Sequence, residues 1–270
     1  MAGSSPFQVH RILATIRFIQ GYRYLDRCGE ALVKLENVLT EGWLPTEPSP
    51  KAGGMKNDQL GMTASFNSEG MTTSQAEFIS FEHFIDQTCK VFDTLWQTFE
   101  IKRISSPTIL VVFQKGFKDD ELEEAAQYLI SLRLCVPHTG LIGLMEGMAH
   151  ALDFVLLTTE DMEWNEERVH RRRRMQSQVI RQERQPPFDE RLLRRSRQLA
   201  SKQRDAIAAL MKLRRKHPEV SPVAAQLDLE HSFETELSAE VFDLPSFLQQ
   251  GWEWAESVRG GIARLEGETS

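Results

Sequence analysis

The densest charge in the chain begins with four consecutive arginines, Arg171 to Arg174. Between Arg168 and Lys216 seventeen Lys and Arg stand against four acids, a local charge of +13. The whole chain carries −7, so the remainder carries −20. A basic arm thus sits in an acidic body, a distribution that speaks to partners rather than to fold. Guanidinium groups present planar forks of donors that match carboxylates and phosphates. The candidate contact residues are Arg171, Arg172, Arg173, Arg174, Arg194, Arg195, Arg197, Arg204, Arg214, Arg215 and Lys216. Two kinds of target fit them. An acidic protein, or a second copy of the chain, would dock by charge complementarity. A nucleic acid would be held through its phosphates with release of counterions. Phe188 is the one aromatic between Trp164 and Phe233, so base stacking along the arm is not expected. An Arg-rich stretch is also often a plain solvated face.

A second constellation is Asp228 and Glu230 in Leu227-Asp228-Leu229-Glu230. Residues i and i+2 of a strand face the same way. Two carboxylates would then converge, as in sites that hold Mg²⁺ for phosphodiester cleavage. The competing reading is a solvated strand face, or one paired with the basic arm. Other chemistry finds little support. No G-x-x-x-x-G-K-[ST] or G-x-G-x-x-G phosphate cradle occurs, and no G-x-S-x-G elbow. The seven histidines are scattered, with no HExxH pair. Three cysteines (Cys28, Cys89, Cys135) are odd in number and show no CxxC spacing. They suit a reducing cytosol better than a disulfide framework. No catalytic residue, cofactor, signal peptide or membrane span is expected, and a cytoplasmic, non-enzymatic protein is favoured.

The elements that would position these groups follow from periodicity. Ile12, Ala14, Ile16 and Phe18 alternate as a strand. Leu25, Cys28, Leu32, Leu35 and Leu39 mark a helix, and Pro45 to Asp58, rich in Pro and Gly, a loop. A hairpin is expected over Leu60–Asn67 and Thr72–Phe81, with Ala76 and Phe78 inward. A helix over Phe84–Phe99 and a strand over Thr108–Gln114 complete a strand-helix-hairpin-helix-strand block. Right-handed crossovers fold such a block most simply as a ferredoxin-like antiparallel sheet. Further on come a short acidic helix (Asp119–Leu132), a stretch over Leu141–Thr159 that reads as a hairpin in preference to a buried helix, a strand over Ala224–Phe233 and a final helix over Pro245–Leu265. Asp189 to Lys216 reads as one long basic helix about 40 Å long, with Leu192, Leu199 and Ile207 on its apolar stripe. The expected class is α+β. A ferredoxin-like domain spans residues 1–117, and a mixed, helix-rich domain with the arm at 168–216 spans 118–270. That second half also reads as a decayed second ferredoxin-like copy.

Ala14-Thr15-Ile16-Arg17-Phe18, the strand with the acidic helix after Ile101–Phe117, and Leu227-Asp228-Leu229-Glu230 with its following helix carry a resemblance. The chain resembles a sporadically distributed bacterial family of unknown function, of about this length, that ends in a Leu-Asp-Ile-Asp strand and a helix. Glu230 stands where that pattern has its second Asp. The resemblance implies architecture and no activity. Its patchy distribution suits a phage-defence or mobile-element setting. The reading is an interaction protein that docks an acidic partner, or itself, through a basic helix. The alternative is a nucleic-acid binder with metal-dependent cleavage at Asp228 and Glu230.

Overall fold

Alternating apolar residues build the central strand. In β1 (Gln8–Ile19) Ile12, Ala14, Ile16 and Phe18 are buried, and the residues between them face the other way. The structure is a computed structural model; it describes residues 7–19, 21–39, 42–46, 52–76, 78–117, 122–134, 154–181 and 223–269. α1 (Tyr24–Val38) buries Tyr24, Ala31, Leu32 and Leu35. Leu25, expected on that stripe, is 67% exposed. Tyr24 occupies the inner position instead, its ring edge-on to Phe66 and Phe99.

The segment expected as a loop holds two strands among its described residues, β2 (Leu44–Pro45) and β3 (Gly53–Asn57). Its glycines mark close approach rather than flexibility. A Cβ at Gly53 would lie 2.8 Å from Cys28 Sγ, and one at Gly54 would lie 2.5 Å from the Ala64 carbonyl. β4 (Met62–Phe66) and β5 (Gly70–Gln75) form the expected hairpin, with Asn67 Oδ1 accepting from the Glu69 and Gly70 amides. β5 stops at Gln75, well short of Phe81, and Ala76 is exposed rather than inward. Ser80 caps the next helix by accepting from the His83 amide at 3.1 Å. That helix, α2 (Phe81–Phe99), buries Phe84, Val91, Phe92, Leu95 and Phe99. β6 (Arg103–Phe117) and α3 (Leu122–Ser131) follow.

The remaining described elements are β7 (Phe154–Trp164), β8 (Glu167–Arg181), β9 (Val223–Phe233), β10 (Glu236–Ser238) and α4 (Leu244–Thr269). The strands form one ten-stranded sheet in the order β2-β3-β4-β5-β1-β6-β9-β8-β7, with β10 also on β6. Every pairing is antiparallel. The protein is therefore α+β with a large antiparallel sheet. Its sheet is wider than four strands because β9 pairs with β6 from Thr108 to Phe117 and carries β8 and β7 beyond it. The sheet is thus continuous across 117/118.

The described helices share one face of this sheet. Tyr24 of α1 packs on Phe66, Thr88 of α2 hydrogen-bonds Thr73, and α4 lies on Ile109 and His231 at Gly251. Ser177 Oγ donates to the Leu134 carbonyl just after α3. The core between helices and sheet is one contiguous apolar cluster. No described helix is long and apolar enough to cross a membrane.

The basic arm is corrected in part. From Glu167 to Arg181 it is β8, a strand inside the sheet with β7 on one side and β9 on the other. The four arginines therefore do not stand on a projecting helix. The expected long helix over 189–216 lies outside the described residues. So do Arg194, Arg195, Arg197, Arg204, Arg214, Arg215 and Lys216, and the Leu192, Leu199 and Ile207 stripe.

Candidate anion-binding site

The period of two along β8 splits the arginine run between two surfaces. Arg172 and Arg174 stand opposite Ser232 and Glu230 of β9, on the face that no described helix covers. Arg171 and Arg173 stand opposite Phe233 and His231, on the helix-covered face. A run of four charges in sequence thus becomes two pairs, each with half the charge density.

On the helix-free face one of the two arginines is answered by a carboxylate, and Arg174, like Arg173, has no carboxylate ion pair among the described residues. Arg172 pairs with Glu234, and Arg174 donates to Gln176 Oε1 at 2.7 Å. Asp228 and Glu230 share this face, as their spacing predicted. Asp228 Oδ1 accepts from Gln226 Nε2 at 2.8 Å, and Oδ2 from Gln178 Nε2 at 3.0 Å. Gln114 Nε2 extends the ladder to Gln226 Oε1 at 2.7 Å. Burial pushes the Asp228 carboxyl above its ordinary range, opposed by the two amides and by Arg174. Each Asp228 oxygen accepts from one of these two amides. No cluster of three metal-ligating side chains occurs among the described residues. Asp228 belongs to a polar ladder that stitches β6, β9 and β8 together through Gln114, Gln226 and Gln178.

The helix-covered face is different. Arg171 is held by Glu160 of β7. Arg173 has no carboxylate ion pair among the described residues. Its Nε lies 3.4 Å from His231 Nδ1, and its guanidinium carbon lies 5.4 Å from the centre of the Trp254 ring. His231 is fully buried and its ring packs against Phe233 and Phe247. Burial, reinforced by Arg173 and Arg171, pushes its imidazole down to about 3, so it is neutral at pH 7. A neutral ring can accept through Nδ1, and this fixes the direction of the Arg173 side chain. Burial and the neighbouring Arg171 also lower Arg173 from the ordinary guanidinium value, opposed by Glu160. Trp254 reaches Arg173 because Gly251 lets α4 settle directly on Ile109 and His231.

Arg171, Arg173 and Trp254 line a cavity of about 420 Å³, together with Gln250, Glu253 and Ser257 of α4. Glu253 is engaged by Gln249 Nε2 at 2.8 Å. The cavity therefore offers the Arg173 guanidinium, an aromatic face, and amide and hydroxyl groups, together with the Glu253 carboxylate, whose charge the Gln249 amide does not cancel. The Arg173 guanidinium in that set can hold a carboxylate or phosphate group. A larger hollow of about 720 Å³ at the end of β1 carries a single cation, Arg17, opposed by Glu69. Neither His231 nor Trp254 stood out in sequence. The His231 ring is set only by strand parity, and Trp254 lies beside the apolar stripe of its helix. Compared with protein-family models, with curated proteins and with solved structures, the chain finds no match.

Proposed function

We propose that this chain is a non-enzymatic interaction protein that docks an acidic partner through Arg173, with Arg171 beside it. One observation carries the reading: Arg173 is drawn out of water and aimed by His231 and Trp254, with no carboxylate ion pair among the described residues. A partly buried charge with no direct ion pair, opposed only by the field of Glu160, is costly. A partner that brings a carboxylate removes that cost on binding, so affinity and orientation come from the same residue. The N-terminal block fits a ferredoxin-like unit, since β4-β5-β1-β6 has the strand order of that fold, here extended by strands at both ends. Cys28 and Cys89 are free thiols, which suits a cytoplasmic setting.

Nucleic acid is the second reading, with β8 contacting phosphates. It is weakened by the parity of β8, which divides the four arginines between two faces, and by Glu160 and Glu234, which answer two of them. Calorimetric titration with a synthetic Glu-rich peptide separates the readings, run beside gel retardation with duplex and single-stranded DNA at low salt. The peptide should bind, more weakly as salt rises. Arg173→Met should lose about 10- to 100-fold in affinity, the scale of one charge-assisted hydrogen bond. Arg172→Met, on the other face, should bind as the wild type does. A retarded DNA band that Arg172→Met abolishes, with no peptide binding, would favour the second reading instead.

A further inference from the structure

β7 is the outermost strand at one end of the described sheet. It pairs with β8 from Phe154 to Trp164, and no other described strand pairs with it. Its outer backbone donors and acceptors have no strand partner among the described residues and can take a further strand. Proteins blunt such edges with short strands, proline, bulges or charge. The opposite edge follows that rule: β2 is two residues long and contains Pro45. β7 is 11 residues long and keeps an unbroken register with β8. Its first half, Phe154 to Thr159, holds neither a charge nor a proline. Within it Val155, Leu156 and Leu157 are 48%, 49% and 50% exposed. Successive residues point to opposite faces, so apolar surface is offered above and below the edge at once.

We propose that β7 pairs antiparallel with β7 of a second copy, about a two-fold axis at Leu157, so that the sheet runs through a dimer. The charge pattern selects this occupant and this direction. The acids Glu160, Asp161 and Glu163 are confined to the second half of the strand. Parallel pairing would set each acid beside its own copy, which is destabilising. Antiparallel pairing about Leu157 places Val155 opposite Thr159 and Leu156 opposite Thr158 of the other chain. The two Glu160 residues then lie roughly 20 Å apart along the sheet. A surface that pairs with itself closes as a two-fold dimer and does not propagate. Thr158 of β7 stands opposite Arg173 and Met162 of β7 lines the Arg173 cavity, so the two contacts are neighbours, and dimerisation is read by sedimentation rather than by peptide binding.

Sedimentation velocity of the full chain over a concentration series tests this, with two variants. Leu157 stands opposite Arg174 within its own protomer. In Leu157→Glu the introduced carboxylate therefore has a cation beside it in the fold, but meets its own copy across the axis. The wild type should dimerise. Leu157→Glu should dimerise at least tenfold more weakly, with an unchanged far-ultraviolet circular dichroism spectrum. Leu157→Cys, in a chain whose three native cysteines are replaced by serine, should form an intermolecular disulfide on mild oxidation. A wild type that stays monomeric throughout overturns the proposal. So does a dimer indifferent to Leu157→Glu, or one in which Leu157→Cys does not cross-link.

Discussion

Gly251 and Gly260 lie on the same helix, α4, and alanine at the two positions should act with opposite sign. Inside a helix, Gly→Ala removes backbone freedom from the unfolded chain and is worth about 0.8–1 kcal/mol. At Gly260 a Cβ would meet nothing within 4 Å, so Gly260→Ala should gain that amount. At Gly251 a Cβ would overlap Ile109 Cγ2 and come within 3.3 Å of His231 Cβ and Cδ2. Neither neighbour yields easily: Ile109 is β-branched in the middle of the sheet, and His231 is fully buried between aromatic rings. α4 must lift instead, an overpacking cost of about 1–3 kcal/mol that outweighs the helix gain. The net expectation for Gly251→Ala is a loss of up to about 2 kcal/mol and a melting temperature lower by up to several degrees. Urea unfolding followed by tryptophan fluorescence and circular dichroism measures both variants. The lift also carries Trp254 away from Arg173, so peptide affinity should fall in Gly251→Ala and not in Gly260→Ala. If both variants are equally stabilised, α4 does not pack on β6 and β9 as described.

His231 should give the protein a specific acid sensitivity. Its folded-state value near 3 lies below the ordinary 6.5, so the unfolded chain takes up a proton that the native one refuses. This contribution is intact above about pH 6.5 and lost progressively as pH falls towards 3, at up to about 1.4 kcal/mol per pH unit. His231→Phe should remove that slope, read as the difference between the two unfolding profiles over this range; parallel profiles would refute the assignment. Asp228→Asn should cost under about 1 kcal/mol at pH 7, because burial already disfavours the charged carboxyl and an amide keeps one acceptor for the Gln ladder. Millimolar Mg²⁺ should leave the melting temperature of the wild type unchanged. A rise on adding Mg²⁺ that Asp228→Asn abolishes would support the metal reading.

Much of the fold was legible because its signals are local. The alternation Ile12, Ala14, Ile16, Phe18 and the helical repeat of Phe84, Val91, Phe92 and Leu95 each report burial on one face, and all eight residues are buried. β3 was hidden because Gly53 and Gly54 read as loop residues. Their absent side chains are what the neighbouring strand and α1 require. Arg171 to Arg174 concealed a strand because four identical residues carry no period. Their partners, Glu160, Glu234, His231 and Trp254, come from other elements, and only the sheet register brings them together. The pairing of Asp228 and Glu230 on one face was readable from spacing alone. That Gln226 and Gln178 would occupy the Asp228 oxygens was not, since Gln178 reaches it from another strand.

The central claim is that Arg173 is kept without a carboxylate for the sake of an incoming one, and unfolding of Arg173→Met with and without the Glu-rich peptide tests it most directly. An apolar chain of similar length keeps the packing on Trp254 and removes a partly buried charge. The free variant should be as stable as the wild type or more so, while peptide raises the stability of the wild type alone. A free variant weakened by more than about 1 kcal/mol, still stabilised by peptide as the wild type is, would make Arg173 a structural residue and contradict the claim.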